Sequence, residues 1–245
     1  MKKVAFTIQK GGTGKTTLSG NCAYAAARTK KTVLVDCDPQ GNSSSWFLTK
    51  GVAYELADVL KGEVKVQDAV VQVGKFYMIP TFGLDGNLKQ YGENQLNDEP
   101  FIFEDLCSGL EVQGFQVAIF DLSPGMSKLE KCVILAMDEV ITPLTPEFFS
   151  VDGISIFNAE LQKINRSFRK NVQHRTVVAN NVNRRFRRHN VYYKQFQDLK
   201  YKLFTVGQDA KLAESQMYNK SIFEYYPESK TIPELEKLTA DIIGG

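Results

Sequence analysis

The chain has 245 residues, 43% hydrophobic, 24% charged and 11% aromatic, with only 8 prolines; this excludes collagen-like and disordered chains and allows one large α/β domain or two small ones. No apolar run approaches the ~18 residues of a membrane helix, and the V-A-F-T-I after Met1–Lys3 is too short for the apolar part of a signal peptide, so a soluble, unprocessed cytosolic protein is expected. The net charge of +2 averages two unlike parts: Lys163 to Lys202 holds 12 Lys/Arg against the single acid Asp198, net +11, and the other 205 residues hold 18 basic and 27 acidic, net −9.

In chain order, Lys3–Ile8 reads as a short strand, followed by a glycine-rich turn and an Ala-rich helical run from Lys15 to Arg28. Thr32–Cys37 is a second apolar strand ending in acids. Lys75–Pro80, Gln116–Leu122, Glu139–Leu144, Arg175–Asn180 and Tyr201–Val206 repeat the pattern, separated by stretches of helical length. Strands apolar on both faces predict an α/β fold with a doubly wound, mostly parallel sheet flanked by helices on both faces. The polar stretch Gly83–Glu99 reads as an inserted loop, and no linker or repeat divides residues 1–245, so one domain is expected. Cys22, Cys37, Cys107 and Cys132 form no C-x-x-C pair, and with only two histidines in the chain they read as buried or free thiols.

Directly after the first strand, Gln9 to Thr17 reads Q-K-G-G-T-G-K-T-T. Gly11, Gly12 and Gly14 permit the positive φ that turns backbone amides, including that of Thr13, inward around phosphate oxygens. Lys15 then reaches the β/γ-phosphates and the Thr16 hydroxyl is placed for Mg²⁺; Thr17 follows in the first helical turn. Gln9 occupies the first glycine position of the strict P-loop pattern, and the remaining positions fit. Lys10 precedes the glycines and cannot easily fold back onto the phosphates of its own loop, so its target is expected across an interface.

These residues resemble the deviant Walker A signature of the ParA/MinD superfamily, K-G-G-x-G-K-T-T. Val33 to Asn42 (V-L-V-D-C-D-P-Q-G-N) is similar to the second motif of the ParA family, Val117 to Gly125 (V-A-I-F-D-L-S-P-G) to its Walker B strand, and Leu212 to Lys230 to the segment that ends many of its members. The resemblance implies a P-loop ATPase using ATP and Mg²⁺, with Lys10 contacting nucleotide in the facing subunit of an ATP sandwich homodimer. It further implies Lys10, Lys15 and Asp38 as catalytic residues, Asp38 positioning the attacking water. Asp36 supports the outer shell of a metal that Thr16 and Asp121 hold. The alternative reading is that one of Asp36 and Asp38 merely caps the loop Pro39–Asn42. Ser123 departs from the family's usual D-x-P-P, which leaves Asp121 untouched and alters the loop behind it.

Asn180 ends an apolar strand where many relatives place an adenine-reading asparagine; Asn181 is adjacent, and strand alternation lets only one of the two face a base. Gln208 and Asp209 resemble the other base-flanking loop, with a plain turn as the competing reading. In the basic segment, Arg184, Arg185, Arg187 and Arg188 are densest, with Lys200 and Lys202 downstream. A charge run is usually a solvated face. The segregation of charge and the family resemblance instead point to non-specific DNA, bound through phosphates, with Tyr192 and Phe196 either stacking or core.

The expected function is therefore a cytoplasmic, nucleoid-associated ParA-like partition ATPase whose ATP dimer binds DNA and releases it when a ParB-like partner stimulates hydrolysis; the cargo is open. The alternatives are a MinD-like membrane-cycling ATPase or one that positions a protein cluster. The acidic C-terminus, T-I-P-E-L-E-K-L-T-A-D-I-I-G-G, lacks the basic amphipathic helix that membrane cycling expects, so no membrane partner is expected. Redox or ligase chemistry on the same fold would need cysteines in a suitable context or a substrate pocket, neither of which is visible. Only two residues precede the first strand, so no N-terminal DNA-reading domain is expected.

Overall fold

The computed structural model describes residues 1–96, 99–147 and 150–244. The chain opens with β1 (Lys2–Phe6), α1 (Lys15–Ala26), β2 (Thr32–Cys37) and α2 (Asn42–Phe47), then the short α3 (Leu56–Leu60) and α4 (Val66–Ala69). A hairpin of β3 (Val71–Val73) and β4 (Phe76–Ile79) leads to α5 (Leu88–Asn94) and α6 (Ile102–Val112). There follow β5 (Val117–Leu122), α7 (Lys128–Leu135), β6 (Glu139–Leu144), α8 (Ser150–Phe168), β7 (Gln173–Val182) and α9 (Arg187–Gln197). The chain ends with β8 (Lys202–Gly207), α10 (Ala210–Met217), α11 (Ile222–Tyr225) and α12 (Ile232–Ile243).

The strands form one eight-stranded sheet in the order β3-β4-β2-β5-β1-β6-β7-β8, parallel except for the edge pair β3–β4. Because successive strand residues point to opposite faces, each inner strand feeds two cores. Val33, Val35 and Cys37 join Ala118, Phe120 and Leu122 in one core, beneath α3 and α5 to α8. Leu34 joins Val117 and Ile119 in the other, beneath α1, α2 and α10 to α12. The same alternation places Asp36 and Asp121, two residues beyond Leu34 and Ile119, on the face that α1 covers. In α8 the spacing of Ile154, Phe157, Leu161 and Ile164 gives one buried stripe at helical period. Gly20 of α1 admits α2: a Cβ there would stand 2.5 Å from the Trp46 ring and 2.6 Å from that of Phe47.

Strand boundaries differ from expectation by a few residues at most, β7 extending to Gln173–Val182. Two elements are corrections. The edge strand β3 is too short to leave a periodic signal. The polar stretch Gly83–Glu99 is not a plain loop: it holds a 3₁₀ turn at Gly83–Asp85 and then α5, because Leu88 and Tyr91, three residues apart, are buried and the Tyr91 hydroxyl donates to the Leu60 carbonyl at 3.2 Å. Asn97 and Asp98 of that stretch lie outside the described residues. All four cysteines are buried and free.

Central β1 lies between β5 and β6: the connection from β1 runs to β2 on one side, and the one from β5 crosses to β6 on the other. This is the switch point at which parallel α/β sheets bind ligands beyond the C-terminal ends of their strands.

Candidate nucleotide site

The turn after β1 is built for an anion. Gly12 and Gly14 hold φ of 71° and 93°, and Gly14 caps α1 with no side-chain acceptor and no acid in the first turn. The first amides of α1 and its positive dipole end therefore face outward unneutralised. The positive φ is one reason for glycine at 14; the other is underneath. Asn180, buried at the end of β7, donates its Nδ2 to the Thr13 carbonyl at 2.9 Å, and a Cβ on Gly14 would lie 2.1 Å from that nitrogen.

Lys15 is 6% exposed, its Nζ resting 3.2 Å from the Lys10 carbonyl. Burial pushes its ammonium below the usual lysine range, while Asp121, Asp38 and Glu130 hold it up. Lys10 points elsewhere: its Nζ pairs with Glu147, just beyond β6, at 2.8 Å. That hydrogen bond holds the Glu147 carboxyl below its ordinary value.

Asp36 and Asp121 are register partners on β2 and β5, and both are fully buried. Asp36 is consumed within the chain. Its Oδ2 accepts from the Ser44 amide at 2.8 Å and the Ser44 hydroxyl at 2.7 Å, and its Oδ1 from the Asp38 amide at 3.2 Å. Asp121 accepts from the Ser43 hydroxyl at 2.5 Å through Oδ2, and its Oδ1 has no protein partner. Burial and then the neighbouring Asp121 raise Asp36 well above the carboxylate range; burial raises Asp121 to about 6, against the Ser43 and Thr16 hydroxyls.

Asp38 shows the loop-capping contact: Oδ1 accepts from the Gln40 amide at 2.9 Å and Oδ2 from Asn42 at 3.4 Å. It also lines a cavity of about 530 Å³ together with Gly11, Gly12, Gly14, Lys15, Thr16 and Thr17. Capping and a place in the site are thus not alternatives here.

The unshared Oδ1 of Asp121 is buried beside Thr16, which lines this cavity, and an unpartnered carboxylate oxygen there suits a hard cation. Among the described residues no cluster of three His, Cys, Asp or Glu could hold a metal alone. Mg²⁺ is commonly held by one or two protein oxygens and shared with phosphate.

The expected base-reading residues are tied into the chain. Asn180 spends its amide on Thr13, and Asn181 is exposed with φ 57°. Gln208 Oε1 accepts from Asn183 at 2.7 Å. Asp209 caps α10 by accepting from the Lys211 amide at 2.9 Å and takes the Ser229 hydroxyl at 2.7 Å. None of Asn180, Gln208 and Asp209 lines the 530 Å³ cavity.

Other residues in the site were not anticipated from sequence. Gln216 lines the cavity and donates to the Thr17 hydroxyl at 2.8 Å. Trp46, the sole tryptophan, lines it too. Ser43 and Ser44 bind the two acids; the N-S-S-S run after Gly41 was the available signal. Nothing in the sequence marks Glu147.

Arg184, Arg185, Arg187 and Arg188 are all exposed, and none forms an ion pair among the described residues. Asn183 braces their turn: its amide donates to His189 Nδ1 at 3.0 Å and its Oδ1 accepts from the Arg185 amide at 3.0 Å. Lys200 is exposed, whereas Lys202 pairs with Asp241. Lys163, Lys170 and Arg175 are likewise paired, with Glu160, Glu104 and Glu139. Of the eight basic residues of the segment that form no ion pair among the described residues, four stand together at the arginine turn, the others being Arg166, Arg169, Lys194 and Lys200. Phe196 is core and Tyr192 half-buried.

Residues 1–174 match the model of the family AAA_31, described as an AAA domain. The chain is 49% identical over 241 residues to the uncharacterized protein BBD21 of Borreliella burgdorferi, covering 97% of this chain and 98% of that one. It is 26% identical over 260 residues to the chromosome-partitioning ATPase Soj of Thermus thermophilus, covering 99% and 96%. Among solved structures, the septum site-determining protein MinD of Pyrococcus horikoshii, complexed with Mg-ADP, superposes with a TM-score of 0.81 at 20% identity, covering 98% of this chain and 95% of that one.

Proposed function

The chain belongs to the AAA_31 family and with it to the ParA/MinD superfamily of P-loop ATPases, and from that premise we propose that it is a cytoplasmic, nucleoid-associated ParA-like partition ATPase formed by a single domain. ATP drives a sandwich homodimer, the dimer binds DNA without sequence preference, and a ParB-like partner stimulates hydrolysis and release.

One observation carries this reading: the phosphate loop and the exposed arginine turn sit at the two ends of one short strand terminus. Asn180 holds the Thr13 carbonyl, and three residues on Asn183 holds the turn of Arg184 to Arg188. A cluster of unpaired guanidiniums suits phosphate contacts that carry no sequence information, and its rigid tie to the nucleotide loop suits ATP-dependent binding. The similarity to Soj agrees with this assignment.

In the reaction, the loop amides and Lys15 bind and orient the β/γ-phosphates and neutralise their charge. Asp38, at the cavity wall, orients the attacking water. Thr16 and Asp121, with Asp36 behind them, would hold Mg²⁺, which when bound would supply charge neutralisation at the phosphates. Lys10 releases Glu147 and crosses to the nucleotide of the facing subunit. Contacts to the base are assigned to Asn180 or Asn181 at the end of β7 and to Gln208 and Asp209 before α10, whose present hydrogen bonds within the chain would have to yield.

The membrane-cycling alternative is disfavoured because Leu235, Leu238 and Ile242, the apolar face of α12, are buried in the core against α1. No helix of the described residues is long and apolar enough to cross a membrane.

The test is the association state with ATP. Asp38→Ala is expected to accumulate as an ATP-bound dimer in sedimentation velocity, since assembly is intact and hydrolysis blocked. A monomeric Asp38→Ala variant in ATP overturns the assignment of Asp38, and lipid vesicle flotation with ATP overturns the partition reading in favour of membrane cycling.

A further inference from the structure

The loop that leaves β5 is closed at both ends by one carboxylate. The Ser123 hydroxyl donates to Glu130 Oε1, and the Ser127 amide donates to Glu130 Oε2 at 2.7 Å. Glu130 is 2% exposed. Ser127 and Glu130 form a capping box at the start of α7, with the Ser127 hydroxyl accepting from the Leu129 amide at 3.2 Å. A capping box engages the glutamate with the N-cap amide alone. It accounts for Oε2 and leaves Oε1 unexplained, and Ser123 takes that oxygen.

This loop is a wall of the nucleotide site. Pro124 lines the 530 Å³ cavity with Lys15 and Asp38. It also lines a neighbouring cavity of about 640 Å³ that Asp38, Ser123 and Glu130 share. Glu130 is near enough to Lys15 to raise the pKa of that ammonium. The clamp therefore stands at the part of the site lined by Lys15, Asp38 and Pro124, the part that receives the γ-phosphate on the ATPase reading.

We propose that Ser123 and Glu130 are positioning residues for hydrolysis: the bond between them holds Pro124 and the loop 123–127 against the γ-phosphate end of the cavity, so that the water oriented by Asp38 stays in line for attack. Both carboxylate oxygens of Glu130 are engaged as acceptors within the loop, which makes it a positioning residue. A proline at position 123 would stiffen this backbone with its ring; serine stiffens it with a hydrogen bond to a charged acceptor, one of the stronger kinds. The proposal rests on the ATPase reading and names how this chain organises that site.

Steady-state hydrolysis by the full chain with Mg²⁺ and ATP tests it, alongside ADP affinity read from Trp46 fluorescence. Ser123→Ala is expected to lower kcat about tenfold while KM for ATP and the ADP affinity stay within about twofold. Glu130→Gln should fall similarly, because an amide offers one acceptor atom where the carboxylate offers two. Ser123→Thr keeps the hydroxyl and should stay within about twofold of wild type. Unchanged kcat in Ser123→Ala, or a loss of ADP affinity as large as the loss of kcat, overturns the clamp. A wild-type chain that turns over no ATP overturns the ATPase reading itself, and the clamp with it.

Discussion

Asp36 and Asp121 face each other across neighbouring parallel strands with no exposed surface, yet only Asp121 keeps an oxygen that the protein leaves unshared. Two buried carboxylates side by side repel when both are ionised, and each is desolvated. Such a pair is costly to bury, and on the proposed reading a cation beside Asp121 would lower that cost.

The cost has a definite sign in pH. Asp121 is raised to about 6 from 3.8, so the folded state binds its proton more tightly than the unfolded chain does. Its contribution to stability is full below about pH 4 and is lost as pH rises through about 6. At pH 7 the loss is on the order of 3 kcal/mol, at about 1.4 kcal/mol per pKa unit. Asp121→Asn keeps an acceptor for Ser43 and removes the charge, so calorimetry should show the nucleotide-free variant melting higher than wild type at pH 7, with a flatter profile between pH 4 and 6. Asp36→Asn has the opposite effect, because its new NH₂ would confront either the Asp38 amide or the Ser44 donors, and it should melt lower.

Gly14→Ala and Gly12→Ala separate strain from crowding. Both carry positive φ, but a Cβ at 12 meets nothing within 4 Å while one at 14 meets Asn180. Gly12→Ala should cost about 1–2 kcal/mol of loop strain. Gly14→Ala adds the loss of the Asn180–Thr13 bond, about 1 kcal/mol more, and should weaken ADP binding the further of the two in a Trp46 fluorescence titration.

The Lys10–Glu147 pair is 37% and 55% exposed, and exposed pairs are worth about 0–1 kcal/mol. Two such pairs are released per dimer, so Glu147→Gln should tighten ATP-dependent dimerisation by no more than about thirtyfold, measured by sedimentation equilibrium. Lys10→Ala should abolish dimerisation.

Replacing Arg184, Arg185, Arg187 and Arg188 together by Ala should abolish DNA binding while leaving the dimer intact. Lys202→Ala should change DNA affinity by less than about twofold, since that ammonium is already paired with Asp241. Electrophoretic mobility shift with ATP distinguishes the two variants.

Much of the site was legible because its chemistry is local in sequence. The glycines, Lys15 and Thr16 lie within six residues, and the acids close apolar strands whose alternation sets their facing. Asn180 illustrates the limit: the strand end was readable, but that its amide lies under Thr13 depends on β7 and β1 approaching through β6. Lys202 and the arginines looked alike in the charge count, and only the docking of α12, which brings Asp241 to Lys202, separates them. Glu130 carried a readable capping box, whereas its second bond, to Ser123, depends on how the loop after β5 closes. The polar run around Leu88 and Tyr91 concealed α5 because two buried residues are too few for a periodic signal.

The most direct test of the account is binding of a random-sequence duplex DNA by fluorescence anisotropy with ATP or ADP, for wild type and Lys15→Ala, across a salt series. The account predicts binding by wild type with ATP only, weakening with a log–log salt slope of roughly −3 to −7 as phosphate contacts require, and none with ADP or in Lys15→Ala. Binding that ignores the nucleotide, or no binding in any state, would contradict it.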